Sequence, residues 1–262
     1  MRKRKTLGLA LGAGGSRGAC HVGAIQALTE NDIPIDFVTG SSMGAVIGGA
    51  FASGADICEV EKRLRAAKMS ELFDLNLRPI AHGGLLKGKA SEKLILPFLK
   101  CETFEQTPIP FRCTAVDINT GMPYVFSSGK LITGIRASMS IPGIFEPVVF
   151  EDMLLVDGGL LDRLPTGCMR KMGPDVIISI DALGRIAPVR ERPNLVSIIM
   201  RSFEIVDWDR VAKQYDDENE IILCPEFVGS QLSAKTVPAA IDAGRACVLE
   251  NLDKIKKVLS IR

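Results

Sequence analysis

The chain has 262 residues, of which 47% are hydrophobic and 24% are charged, and this is the composition of a folded globular protein. Its 32 lysines and arginines balance its 31 aspartates and glutamates to a net charge of +1, which argues against a nucleic-acid-binding protein with a strongly basic surface. Only two histidines are present, so a metal site built on several histidines is excluded.

Cysteine usage and the N-terminal segment indicate a cytoplasmic protein. The seven cysteines are odd in number, widely spaced and without a Cys-x-x-Cys pair, which is typical of reduced thiols rather than of disulfides or a zinc site. Basic residues 2–5 precede the apolar run 7–11, but that run is too short for a signal peptide and is followed by glycines. No apolar run reaches the roughly 18 residues that a membrane span needs.

The predicted elements alternate between strand and helix, which is typical of an α/β fold. In chain order they are strand 7–11, helix 19–30, strand 37–39, helices 43–52, 55–69 and 91–99, strands 111–117 and 123–126, helix 130–139, strand pair 148–156, helix 164–172, strand 176–180, helix 194–214, strand 220–223 and helix 238–258. One side of the helix at 194–214 carries the apolar residues Ile198, Ile199, Phe203 and Val206. Residues 70–90 show no clear period, and the hypothesis for them is a cap. No repeat or linker is present, so one domain is the simplest organisation.

Residues 12–18 form a loop with four glycines between strand 7–11 and helix 19–30. Glycines let such a loop turn its N–H groups toward one point, and the helix N-terminus adds partial positive charge. The loop can therefore hold a phosphate or an oxyanion, or it is a tight turn without a ligand. It also matches a dinucleotide-binding turn, for which Asp32 or Asp36 would be the acidic partner, although both fit equally well as turn residues.

Gly40, Ser42 and Gly44 form a Gly-x-Ser-x-Gly motif between a strand and a helix of small residues. A serine nucleophile on a sharp turn needs small neighbours on both sides, and the helix N-terminus favours the negative charge that forms on attack. The alternative is a helix N-cap made by Ser41 or Ser42. The strand–turn–helix context favours the nucleophile.

A serine nucleophile needs a base, and neither histidine is a good candidate. His21 falls inside the helix after the glycine loop, and His82 follows a poor strand. A carboxylate is the alternative, since Asp157 ends an apolar strand and is followed by Gly158 and Gly159. Taken alone, an Asp-Gly pair is more typical of an ordinary turn.

Together, the glycine loop, the Gly-x-Ser-x-Gly motif and the Asp-Gly-Gly motif resemble the patatin-like phospholipase family. The segments 135–145 and 154–161 are also characteristic, so the resemblance covers about residues 5–185. It is strongest to small bacterial members, including the neuropathy target esterase-like branch. The resemblance implies a single patatin-like domain over residues 1–262, in which helices flank a central, mostly parallel sheet as a three-layer sandwich.

The resemblance also implies a Ser–Asp dyad. Ser42 would be the nucleophile, Asp157 the base, and the N–H groups of Gly14 and Gly15 the oxyanion hole. The remaining motif residues that it implies as supports are Gly12, Arg17, Gly18, Gly40, Gly44, Gly158 and Gly159, with Arg17 helping to hold the glycine loop. Ala13 departs from the family pattern, which often has a further glycine there, and its methyl group is tolerated where φ is negative.

The expected activity is that of a serine lipid acyl hydrolase, a phospholipase, lysophospholipase or carboxylesterase without cofactor or metal. The expected substrate is a fatty-acyl ester or a (lyso)phospholipid, with thioesters and short esters as alternatives. The acyl channel would lie under the apolar residues of segment 70–90, with Arg78 and Lys87 facing phosphate, although the same residues fit equally well as core: Leu72, Phe73, Leu75, Leu77, Leu85 and Leu86. Basic segments 2–5 and 254–257 could contact an anionic membrane surface peripherally.

Two other classes of protein stay open. A nucleotide-binding oxidoreductase would use the loop at residues 12–18, but it leaves Ser42 and Asp157 unexplained. A catalytically idle member of the family would serve in regulation or interaction, and the intact Ser42 and Asp157 argue against it. The sequence gives no oligomeric state and no physiological lipid.

Overall fold

The computed structural model describes residues 4–68, 71, 74–75, 83–185, 195–214 and 220–261. The strands are β1 (Leu7–Leu11), β2 (Phe37–Gly40), β3 (Gly84–Leu86), β4 (Phe111–Asp117), β5 (Met122–Phe126), β6 (Gly143–Phe145), β7 (Val148–Phe150), β8 (Met153–Asp157), β9 (Val176–Ile180) and β10 (Glu220–Leu223). The helices are α1 (Cys20–Glu30), α2 (Met43–Ala52), α3 (Ile57–Ala66), α4 (Lys89–Ile95), α5 (Leu131–Ser138), α6 (Thr166–Arg170), α7 (Leu195–Gln214), α8 (Val237–Glu250) and α9 (Leu252–Leu259).

The main sheet has the strand order β10-β9-β1-β2-β4-β8-β7, and β5 also pairs with β4. The strands from β10 to β4 run parallel, whereas β5, β7 and β8 are antiparallel to their neighbours. All residues of β1 and β9 are buried, as expected where helices cover both faces of a parallel sheet. The prediction of an α/β fold with a mostly parallel central sheet and flanking helices is confirmed.

Strand β4 brings two distant parts of the chain together. Cys113 pairs with Gly40 of β2 on one edge and with Phe126 of β5 on the other. Ala115 pairs with Asp157 of β8, again on the edge opposite β5. Strands β2 and β8 therefore lie along the same edge of β4 and approach each other with their carboxyl ends.

Helices α1 and α8 pack with direct backbone contact. A Cβ atom on Gly23 of α1 would lie 1.9 Å from the carbonyl oxygen of Ile241, and a Cβ atom on Gly244 of α8 would lie 1.9 Å from that of Cys20. Each helix thus has a glycine where the other approaches. The contact buries Ile25 and Ile241 in the same hydrophobic core as β1 and β9.

The predicted strands at 7–11, 111–117, 176–180 and 220–223 and the helix at 43–52 have the observed bounds. The predicted helix 238–258 is wrong in one respect, because it is broken at Asn251. The side chain of Asn251 donates to the carbonyl oxygen of Cys247 at 2.8 Å and ends α8.

The small parallel sheet of β3 and β6 was not predicted from the sequence. Each of its strands has three residues and includes a glycine, which is too short for a period to be read. None of the helices in the described part of the chain combines the length and the apolar run that crossing a membrane requires. None of the seven cysteines, all of which lie in the described part of the chain, forms a disulfide.

Candidate active site

Ser42 lies on a sharp turn between β2 and α2. Its backbone has φ 54° and ψ −123°, a region that side-chain-bearing residues rarely adopt. A Cβ atom on Gly44 would lie 2.1 Å from the carbonyl oxygen of Leu11, and one on Gly40 would lie 2.4 Å from that of Gly44. The two glycines of the motif are therefore required by backbone contacts that hold the turn in place.

The side chain of Ser42 contacts the carboxylate of Asp157. Its hydroxyl Oγ donates to Oδ2 of Asp157 at 2.6 Å, and both residues are buried. The other carboxylate oxygen, Oδ1, accepts from the N–H of Gly159 at 2.7 Å. The carboxylate is thus held by the loop that follows β8 and aimed at the serine.

Burial raises the pKa of Asp157 to about 7, although the hydrogen bonds from Ser42 and Gly159 act in the opposite direction. A carboxylate with this pKa is a far better proton acceptor near neutral pH than an exposed aspartate.

The glycines after Asp157 let other backbone segments approach. A Cβ atom on Gly158 would lie 2.3 Å from the carbonyl oxygen of Thr114 in β4, and one on Gly159 would lie 2.9 Å from the Cβ of Ala13. The Asp-Gly-Gly motif therefore packs directly against both β4 and the glycine loop. Ala13 has no positive φ, so its methyl group fits the loop without strain.

The glycine loop leaves two N–H groups beside Ser42. The N–H of Ala13 donates to the carbonyl of Arg163 at 2.7 Å, and that of Ser16 donates to the carbonyl of Gln231 at 2.8 Å. Among the described residues no acceptor is present for the intervening N–H groups of Gly14 and Gly15. Gly15 has φ +53°, and a Cβ there would meet the carbonyl oxygen of Gln231 at 2.5 Å.

A cleft of about 500 Å³ lies over these groups. Its floor includes Gly14, Gly15, Ser42 and Asp157. Its walls come from the segments after α5, β8 and β9, from α7 and from the loop before α8, and they include Ile141, Pro142, Leu160, Leu183, Met200, Phe203, Glu204 and Gln231. The cleft is mainly apolar around a polar floor, which is the arrangement expected for a small-molecule site.

The family comparison agrees with this geometry. The sequence model described as "Patatin-like phospholipase" matches residues 9–167, which is more than half of the chain. The chain belongs to the patatin-like phospholipase family. The resemblance inferred from the three sequence motifs is therefore confirmed.

Two curated relatives place the chain among proteins named for the same branch of the patatin-like family. An uncharacterised NTE family protein of Mycobacterium bovis is 36% identical over 193 residues, which cover 72% of this chain and 53% of that protein. Lysophospholipase nte1 of Emericella nidulans is 35% identical over 183 residues, which cover 68% of this chain and 12% of that protein. The chain thus spans about half the length of the mycobacterial relative and a small part of the fungal one.

The patatin-like fold is also seen in a solved structure. VipD from Legionella pneumophila matches with a TM-score of 0.55 at 14% identity, over 96% of this chain and 67% of that chain. At this identity the match shows a shared fold.

Arg17 ties the glycine loop of this patatin-like chain to two other loops. Its guanidinium donates to the carbonyl oxygens of Ala182 at 2.9 Å, Gly229 at 3.2 Å and Phe227 at 3.3 Å. It also lies 4.3 Å from the centre of the Phe227 ring.

Sequence reasoning missed a buried ionic cluster beside the cleft. Arg163 donates to Asp181 at 2.9 Å and lies 3.5 Å from a carboxylate oxygen of Asp207 in α7, and all three residues are buried. One signal was available, because Asp181 directly follows β9, as an acid in a ligand crevice often does. Nothing in the sequence pairs Asp207 with Arg163. Sequence reasoning also missed Ser138, whose hydroxyl accepts from the N–H of Ser42 at 3.0 Å.

The other residues singled out in the sequence lie away from the cleft or outside the described residues. His21 is buried, its Nε2 lies 2.7 Å from the carbonyl oxygen of Gly12, and burial lowers its pKa to about 4, so it is neutral and donates to that carbonyl. Leu75 and Leu85 are exposed and Leu86 is buried. Of the residues singled out in the sequence within segment 70–90, those that lie outside the described residues are Leu72, Phe73, Leu77, Arg78 and His82.

The two acids considered for a dinucleotide site do not face the glycine loop. Asp36 accepts from the Arg4 guanidinium and from the N–H of Leu7, at the start of β1. The glycine loop follows the opposite end of β1, roughly 13 Å away for a strand of this length. Asp32 is an exposed residue with φ 56° in the turn after α1. This arrangement argues against a dinucleotide site at the loop.

Proposed function

We propose that the chain is a serine lipid acyl hydrolase in which Ser42 is the nucleophile and Asp157 the base. The observation that carries the proposal is the 2.6 Å hydrogen bond from Ser42 Oγ to Asp157 Oδ2 on the floor of the cleft. The family and the relatives named lysophospholipase support a lipid ester as the substrate. A fatty-acyl ester or a lysophospholipid is therefore the proposed substrate class.

The reaction proceeds in two acyl-transfer steps. Ser42 Oγ attacks the ester carbonyl carbon and transfers its proton to Asp157, while the carbonyl electron pair moves onto the oxygen. The N–H groups of Gly14 and Gly15 donate to this oxyanion. When the oxyanion collapses, the bond to the alcohol breaks, and the alcohol leaves with the proton from Asp157. Water then attacks the acyl-enzyme with Asp157 as base and releases the fatty acid and Ser42.

We also propose that the protein acts in the cytoplasm and binds peripherally to a membrane surface. Seven cysteines without a disulfide fit a reducing compartment. Helix α7 lines the cleft with Met200 and Phe203. The opposite side of the same helix exposes the large apolar residues Ile198, Ile199, Ile205 and Val206. An apolar surface next to a cleft of this kind suits a substrate that resides in a lipid layer.

Labelling with a fluorophosphonate probe tests the nucleophile. We expect an adduct on Ser42, located by mass spectrometry, and a loss of at least about 10³-fold in hydrolysis of a lysophospholipid in Ser42→Ala. Ser41→Ala is the matched control, because Ser41 is a buried neighbour on the same turn whose hydroxyl has no hydrogen-bond partner among the described residues.

The outcomes separate the candidate functions. An adduct in the Ser41→Ala control together with none in Ser42→Ala supports the hydrolase. A folded wild-type protein that takes up no label and hydrolyses no ester would instead be a catalytically idle member of the family. Absorbance from a bound nucleotide would instead support the function of a nucleotide-binding oxidoreductase.

Replacement of the base is a separate test. Asp157→Asn keeps the shape of the side chain but cannot accept the proton from Ser42 at neutral pH. We expect kcat/KM for a lysophospholipid to fall by about 10²–10⁴-fold, with an unchanged circular dichroism spectrum. Wild-type rates in this variant would rule out Asp157 as the base.

A further inference from the structure

A second cleft lies behind the proposed nucleophile. It has a volume of about 970 Å³ and is formed by α2, α3 and α4 together with residues from the start of α8. Apolar side chains dominate its lining, among them Val46, Ile47, Leu64, Leu94 and Phe98. No residue of this cleft has a role in the mechanism above.

Neighbouring residues of the same segments line the two clefts, so these segments form the wall between them. Ser42 lines the first cleft and the next residue, Met43, lines the second. The glycine loop is divided in the same way, since Gly15 lines the first cleft and Ser16 the second. The segment after α5 contributes Ile141 to the first cleft and Met139 to the second.

Two methionines make this wall deformable. Met43 packs on Gly18, where a Cβ would lie 2.7 Å from the Cβ of Met43, so the methionine occupies the space that a larger residue would fill. Met139 lies on the same side of the wall and, like Met43, is only partly buried. Methionine side chains are unbranched and change rotamer at low cost.

The charged residues at the outer end of the second cleft do not favour a ligand with a negatively charged end. Arg63 is paired with Glu71 at 2.6 Å, and Lys68 is exposed to solvent, where its charge stays hydrated. The main chemical property that the cleft offers is an apolar surface, which suits an aliphatic chain.

We propose that the second cleft binds the fatty-acyl chain of the substrate, which enters from Ser42 between Met43 and Met139. The proposal rests on the hydrolase function and adds the position of the substrate's acyl chain. The head of the substrate stays in the first cleft. Each methylene that moves from water into the cleft tightens binding about fourfold. Turnover therefore depends on acyl-chain length through residues that are remote from the reacting atoms.

A chain-length series on purified full-length protein tests this. The substrates are nitrophenyl esters from acetate to palmitate, and kcat/KM in the wild type rises with chain length. Ala67→Trp fills the cleft at its outer end and is expected to remove the gain for long chains while leaving hydrolysis of acetate and butyrate esters unchanged. Ala66→Trp is the matched control, because Ala66 is exposed, is the neighbouring residue and does not line the cleft.

Identical chain-length profiles in Ala67→Trp and the wild type would overturn the proposal, as would a flat profile in the wild type. Failure of the wild type to hydrolyse even the short esters would overturn the hydrolase function itself, and the two failures are thereby distinguished.

A crosslinking experiment on the wild type avoids any variant that fails to fold. A long-chain fluorophosphonate with a terminal diazirine is attached to Ser42 and then irradiated. We expect crosslinks on α2, α3 or α4, for example at Val46, Leu64 or Leu94. Crosslinks confined to α7 would overturn the proposal, and absence of an adduct on Ser42 would overturn the hydrolase function and the chain-binding proposal with it.

Discussion

Asp157 combines burial, which disfavours a carboxylate, with a hydrogen bond from the hydroxyl that it would deprotonate. If Asp157 is the base, as proposed, its pKa of about 7 sets the pH range of activity, because only the charged form accepts a proton. We expect kcat/KM for a soluble ester to rise from pH 5 to pH 8 with an apparent pKa of about 7. Initial rates across this range check it, and a midpoint near 4 would show that another group controls the rate.

The same burial makes the stability of the fold depend on pH. The pKa of Asp157 is raised from 3.8 in the unfolded chain to about 7 in the folded state, so folding favours its protonated form. The stabilisation is full below pH 4 and is lost as the pH rises through 7. We expect the Tm of the wild type, relative to Asp157→Asn, to fall between pH 4 and pH 8.

Asp152→Asn is the control for this measurement, because Asp152 is exposed in the turn before β8. Its Tm should follow that of the wild type over the same pH range. A Tm difference between the wild type and Asp157→Asn that does not vary with pH would contradict the expectation.

At the residue scale, the motifs predicted the residues that are constrained by close backbone contacts. Gly44 and Gly158 have no room for a side chain, and such constraints leave a visible pattern in the sequence. The roles of Arg163 and Ser138 were not predicted, because their partners are distant in sequence. Arg163 pairs with Asp207 on α7, and Ser138 accepts from the N–H of Ser42 on the turn before α2. Nothing local in the sequence distinguishes them from other polar residues.

At the scale of elements, the packing of α1 on α8 depends on glycine. A side chain at Gly244 would collide with the backbone of Cys20, and backbone cannot be displaced as a flexible side chain can. We expect Gly244→Ala to lower the free energy of unfolding by about 1–3 kcal/mol or more, measured by urea denaturation. Gly167→Ala in α6 is the matched control, since a Cβ there has no atom within 4 Å.

The control should raise stability by up to about 1 kcal/mol, because alanine is the better helix former. Equal effects of the two substitutions would show that helix propensity, and not the contact between α1 and α8, decides the outcome.

Helix α7 shows where a helical pattern misleads. The sequence predicts an apolar side with Ile198, Ile199, Phe203 and Val206, and such a side normally faces the core. Of these, only Phe203 lines the cleft. The structure exposes Ile198, Ile199 and Val206. It turns Glu204 and Asp207 inward, where Asp207 meets Arg163 and Glu204 contacts Gln231. The inner side of α7 thus carries Met200 and Phe203 beside these two acids, because it faces both the apolar cleft and the buried ionic cluster, and the sequence of α7 alone cannot show this.

At the scale of the whole molecule, the exposed side of α7 predicts binding to lipid surfaces. We expect Val206→Glu to reduce co-sedimentation of the protein with phosphatidylcholine vesicles by about tenfold or more, because a charge replaces a side chain that would enter the lipid. Val149→Glu is the control, since Val149 on β7 is 76% exposed and Val206 is 79% exposed. Equal binding by both variants would place the contact elsewhere.

The order of strands and helices was predictable because each buried strand is a short apolar run between turn residues. The pairing of β8 with β4 was not predictable, because parallel and antiparallel strands have the same local sequence pattern. The Ser42–Asp157 contact depends on this pairing. The sequence therefore supplied both residues, whereas the distance between them required the structure.

The shared edge of β4 has a consequence for the biosynthesis of the protein. Ser42 precedes Asp157 by 115 residues, and their strands meet only through β4, which is made between them. A growing chain on the ribosome therefore exposes its serine long before the carboxylate exists. On the proposed mechanism such a nascent chain has no base and is inert, so lipid ester would be hydrolysed only after β8 has joined the sheet.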